Sequence, residues 1–162
     1  MREQSGTSIK IRAGKQMMVN LIYYRVMRES GNPRYSEIPN VRNITKVPGT
    51  THCLPKALVI GMHYLNGTQN DSEYKKCTKH HTEWMNQTMR LLHRCKVDKH
   101  YDYTVEDVRV FQEALPDFQI VVFAHNMQLP LYAGPFRGAQ KIIGLRLHNG
   151  HFDHIKKVHR FL

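Results

Sequence analysis

Two strands must meet at Asn149-Gly150. The dipeptide stands between Ile142-Ile-Gly-Leu-Arg-Leu-His148 and the alternating run His151-Phe-Asp-His-Ile-Lys-Lys-Val158. Both turn residues tolerate the positive φ that a two-residue hairpin requires, so the segment predicts an antiparallel pair near the end of the chain. A strand repeats every two residues, which puts His151 and Asp153 on one face. Phe118-Gln-Ile-Val-Val-Phe-Ala124 is a short apolar run rich in β-branched and aromatic residues and predicts a further buried strand.

Upstream the periodicity is helical. Leu54 to Leu65 is apolar nearly all round, with Pro55 suited to a first turn, and predicts a buried helix that starts just after Cys53. Tyr74, Cys77, His81, Trp84, Leu91, Leu92 and Cys95 recur at three- and four-residue spacings, which predicts one long amphipathic helix over 72–95. Thr104-Val-Glu-Asp107 carries a cap and an acidic first turn, and Pro116 closes the helix that follows. Residues 28–50, with Pro33, Pro39, Pro48 and Gly49, read as a long connecting loop. Ile9–Ile11 and Met17–Met27 predict a hairpin, or a strand and a short helix, around Ala13-Gly14. Helices first and strands later point to the α+β class, a small mixed sheet packed with helices.

The 162 residues suit a single domain able to bury its own core. No apolar run approaches the roughly 20 residues of a membrane span, and the first residues lack the apolar stretch of a secretory signal. Three cysteines make a poor disulfide framework and suit a reducing compartment. The expectation is therefore a monomeric cytoplasmic or nuclear protein with no membrane partner, in which one thiol is present for its reactivity. A formal charge of +11 favours polyanions, nucleic acid among them, although no dense basic block stands out.

Cys53 joins a Gly-containing loop to the apolar helix. A helix N-terminus favours thiolate and offers free N–H groups to an oxyanion. A thiol nucleophile also needs an imidazole and a group to orient it, and His151 with Asp153, 98 residues further on, can be that pair. On spacing alone, a free cysteine beside an apolar helix is more often a small buried hydrophobe than a nucleophile. Cys77, His80, His81, His93 and Cys95 invite a zinc reading, but on one helix the two cysteines would stand about 27 Å apart. No metal site and no cofactor are expected.

The segment His52-Cys-Leu-Pro-Lys-Ala-Leu58 resembles the nucleophile motif of ovarian tumour (OTU) family cysteine proteases, and Gly150-His-Phe-Asp153 resembles the family's histidine motif. The two motifs also resemble the OTU-like segment found in protein-primed family B DNA polymerases of large eukaryotic transposons and related viruses. The similarity covers roughly residues 40–160 and leaves 1–40 as an N-terminal extension. It implies a papain-like fold and a thiol isopeptidase that cuts after the C-terminal glycine of ubiquitin or a ubiquitin-like protein. It further implies Cys53 as nucleophile, His151 as general base and acid, and Asp153 as orienting carboxylate. Backbone N–H groups of Cys53 and the Thr50, Thr51, His52 loop would form the oxyanion hole, and Phe152 would pack beside the base. Many members carry Asp-Gly-Asn before the nucleophile, where this chain has Thr50-Thr51-His52. The alternative is a catalytically inactive OTU-like module that binds nucleic acid within a mobile-element or viral polymerase.

Overall fold

The computed structural model describes residues 43–67, 72–125, 129–138 and 140–158. The expectations for Ile9–Ile11, Met17–Met27 and most of the 28–50 loop lie outside them. Among the described residues the chain runs β1 (Ile44–Thr45), α1 (Cys53–Asn66), α2 (Ser72–Lys79), α3 (His81–Cys95), α4 (Val105–Ala114), β2 (Phe118–Ala124), β3 (Pro130–Ala133), β4 (Lys141–His148) and β5 (His151–Ile155). The strands form one sheet in the order β1-β5-β4-β2-β3. The β2/β4 pair is parallel and the others are antiparallel, which makes this an α+β chain with a mixed sheet.

The hairpin forms as the dipeptide demands. Asn149 (φ 50°) and Gly150 (φ 74°) turn the chain, and His148 faces His151 across it. The second strand is shorter than its pattern suggests and stops at Ile155 rather than Val158. Alternation sorts the sheet into two faces. Ile120, Val122, Ile143, Leu145 and Phe152 join the main core beneath α1, whereas Ile44, Val121, Phe123, Ala133, Ile155 and Val158 form a second cluster.

The central element is α1. Leu54, Ala57, Leu58 and Ile60 have no exposed surface, and complete burial of a leucine or isoleucine side chain is worth about 1.5–3 kcal/mol. Pro55 sits in the first turn, where a missing N–H costs nothing. Close approach to the sheet depends on Gly61, because a Cβ there would lie 2.7 Å from Ile143 Cγ2. α4 starts on a capping box in which Thr104 N–H donates to Asp107 Oδ2 at 2.7 Å.

The single helix expected over 72–95 is instead two. His80 is extended (φ −122°, ψ 98°), ending α2 and opening α3. Thr78 Oγ1 bonds back to Tyr74 O, a side-chain competition that weakens a helix end. The break lets both halves turn their apolar faces inward, with Tyr74 and Cys77 buried on one side and Trp84, Leu91 and Leu92 on the other. A three-to-four-residue period continues through such a break, so the pattern alone does not reveal it. No helix among the described residues is long and apolar enough to cross a membrane.

Candidate active site

Cys53 is the first residue of α1, and its preceding residue, His52, takes a left-handed φ of 57° to turn the chain into the helix. The thiol is buried, with 3% of the residue exposed. Burial pushes its pKa up, while backbone N–H groups of Phe152, Leu54 and Cys53 itself pull it down, and the Asp153 charge adds to the rise. Desolvation prevails. The Phe152 amide belongs to β5, so the sulfur lies against the peptide that follows His151.

On β5, His151 Nε2 is 3.2 Å from Asp153 Oδ1 and 3.1 Å from Val47 O. A carboxylate and a carbonyl both accept, so Nε2 carries the proton and Nδ1 keeps a lone pair. This is the tautomer that a Cys-His pair oriented by a carboxylate requires. Among the described residues no hydrogen bond joins the Cys53 sulfur to the imidazole. Asp153 is nearly buried and fully engaged: Oδ1 also accepts from Val47 N–H at 2.8 Å, and Oδ2 from Arg146 Nη2 at 2.8 Å. Phe152 has no exposed surface and packs in the core on the face opposite the acid and base.

The loop before the nucleophile is held down as a strap. Val47 is bound at both its N–H and its C=O, and Pro48 O accepts from Lys56 Nζ at 3.0 Å. Gly49 takes a φ of +76° just beyond. Lys56 is 1% exposed, a buried ammonium one helical turn from Cys53. Burial pushes its pKa down, opposed by the Cys53 charge.

Thr50 and Thr51 are exposed, and the His52 side chain is not. His52 N–H donates to His100 O at 2.6 Å, and its Nε2 lies 2.9 Å from His100 Nδ1. That amide is therefore spent on His100 rather than free for an oxyanion, and the amides that face the sulfur are those of Cys53, Leu54 and Phe152. Burial, then His100 and Lys56, hold the His52 pKa down.

Sequence reasoning missed Arg146, Val47, Pro48 and His100, and did not give Lys56 a task. Arg146 was within reach of it: a two-residue turn at 149–150 makes residues symmetric about that turn partners, and Arg146 faces Asp153. No sequence signal marks a carbonyl such as Val47 O as the partner of a distant histidine.

The break at His80 does not create a metal centre. Among the described residues no three His, Cys, Asp or Glu side chains are placed to hold an ion, and Cys53, Cys77 and Cys95 are all free thiols. Comparison with protein-family models, with curated proteins and with solved structures found no significant match for this chain.

Proposed function

We propose that the chain is an OTU-like thiol isopeptidase of papain-like fold that cuts after the C-terminal glycine of ubiquitin or a ubiquitin-like protein, in a cytoplasmic or nuclear setting. The observation that carries the reading is that one strand, β5, presents both an Asp153-oriented imidazole with its Nε2 protonated and an N–H group on the Cys53 sulfur at the start of α1. His151 Nδ1 takes the Sγ proton, and the thiolate attacks the glycine carbonyl carbon. The tetrahedral oxyanion collapses as the lysine amine leaves with the proton from Nδ1, giving a thioester. His151 then takes a proton from water, which attacks the thioester and releases the modifier and the free thiol.

The site described is closed. Cys53 is 3% exposed, so substrate needs a local opening to reach the sulfur, and we assign that opening to the Val47–Pro48 strap, whose lifting breaks the bonds to His151, Asp153 and Lys56. The test is a ubiquitin C-terminal electrophile probe under reducing conditions. An adduct on Cys53 that is lost in Cys53→Ala and His151→Ala, both folded, supports the reading. No adduct on folded protein across a panel of modifiers overturns it.

A second reading, an inactive module that binds nucleic acid, draws on the burial of Cys53 and on the charge layout of α2 and α3. Gln87 Nε2 draws in Glu73 and Glu83, at 3.2 and 3.0 Å, while Lys75, Lys79, Arg90 and Arg94 are exposed. Binding of a single- or double-stranded oligonucleotide that weakens steeply as salt rises supports it, and no binding at physiological salt removes it.

A further inference from the structure

We propose that Arg146 is a positioning residue of the Cys53–His151–Asp153 site: by holding Asp153 it fixes the carboxylate and limits how far that carboxylate can favour a charged His151. The inference rests on the reading of these three residues as a thiol–imidazole–carboxylate set.

Arg146 stands on β4 directly across the hairpin from Asp153, with 12% of its side chain exposed against 6% for the acid. Nη2 donates to Oδ2 at 2.8 Å, leaving Oδ1 to Val47 N–H and His151 Nε2–H. Nη1 lies 3.5 Å from His125 Nδ1, and because a guanidinium only donates, that nitrogen is the acceptor. Nε is buried without a partner. The guanidinium is thus gripped at two corners and cannot turn away from the acid without leaving Asp153 with a buried, unbalanced charge.

A lone carboxylate beside an imidazole stabilises the imidazolium, and with it the thiolate–imidazolium pair that attacks. Here the same carboxylate is shared with a permanent cation. Two effects follow from one contact. Asp153 cannot rotate, so Nε2 stays protonated and Nδ1 stays the basic nitrogen. The acid's charge is also offset, so protonation of His151 gains less than it would from an unshared aspartate. The other groups around the imidazole leave this sharing as the adjustable one. They are His148 across the hairpin on β4, with His125 tilted against it at 3.9 Å between ring centroids, the Cys53 sulfur on the amide of the next residue, Phe152, and Lys56, whose Nζ is bound to Pro48 O beside Val47. None of these is bound to the oxygens of Asp153 among the described residues.

The experiment is a nitrogen-detected NMR titration of the histidines in wild type, Arg146→Gln and Arg146→Lys, with the amide spectrum as the check on folding. In Arg146→Gln the His151 midpoint is expected to rise by roughly one pH unit, the usual effect of removing a neighbouring cation; in Arg146→Lys it stays close to wild type. An unmoved or lowered midpoint in folded Arg146→Gln, or an equal rise in Arg146→Lys, overturns the proposal. Should neither variant fold, the guanidinium of the wild type decides: slowed rotation and protected Nη protons support the clamp, and signals like those of free arginine reject it. The titration needs no turnover. Absence of a Cys53 adduct with the ubiquitin probe therefore removes the isopeptidase reading alone, and an adduct with an unmoved midpoint removes only the role of Arg146.

Discussion

Replacing Lys56 by methionine separates the lock on the strap from the stability of the core. Met has a similar length and volume, so the space that the lysine stem fills inside α1 stays filled. Two energetic effects oppose each other. The charged hydrogen bond to Pro48 O is lost, and such bonds contribute about 1.5–3 kcal/mol; the burial of an ammonium at a 1% exposed position, with a carbonyl as its acceptor, is relieved. Global stability should then change by no more than about 1 kcal/mol. The strap feels only the loss. At the low end of that range its open population rises about tenfold, since each 1.4 kcal/mol is a factor of ten. The assay is site-resolved alkylation by iodoacetamide followed by mass spectrometry. Cys77 and Cys95 serve as internal controls, the first with its pKa pushed up to about 11 chiefly by burial. Cys53 should react about ten times faster in Lys56→Met while the other two keep their rates. Removing the ammonium also removes a charge that favours the thiolate, so any acceleration observed is a lower bound on opening. An unchanged Cys53 rate, or an equal acceleration of all three thiols, refutes the reasoning.

Gly61→Val should destabilise the fold by roughly 2 kcal/mol through overpacking, because Ile143 Cγ2 and His154 Cδ2 lie 2.7 and 3.1 Å from where the new Cβ would stand; urea unfolding measures it, and an unchanged midpoint contradicts the close approach of α1 to β4. His154 is 1% exposed, with its pKa pulled from 6.5 down to about 3, first by burial and then by Lys156. The folded state therefore holds fewer protons than the unfolded one between those values, and stability falls as pH drops from about 6.5 toward 3, by up to ~1.4 kcal/mol per unit. His154→Leu should flatten that part of the stability curve; equal slopes for both proteins between pH 6.5 and 4 would reject the assignment.

What the amino-acid sequence determined by itself was whatever a few neighbouring residues decide. Asn149-Gly150 fixes a hairpin because only residues that accept positive φ can close a two-residue turn, and the register of His148 with His151 follows from it. The Thr104–Asp107 cap and the apolar run behind Cys53 likewise set helix starts locally, and α1 extends one residue beyond its expected span at each end. The tertiary structure alone decided the break at His80, the parallel pairing of β2 with β4, and the short strand β1, whose partner β5 is distant in sequence, while β3 is a short return strand against the β2 that precedes it. It also decided the state of the site. Residue types and spacing placed Cys53, His151 and Asp153 as candidates, but burial, the buried Lys56 and the hold of Val47 on the imidazole arise from packing across about a hundred residues. Solvent exclusion and the identity of a hydrogen-bond acceptor are properties of the assembled core, and no local pattern carries them.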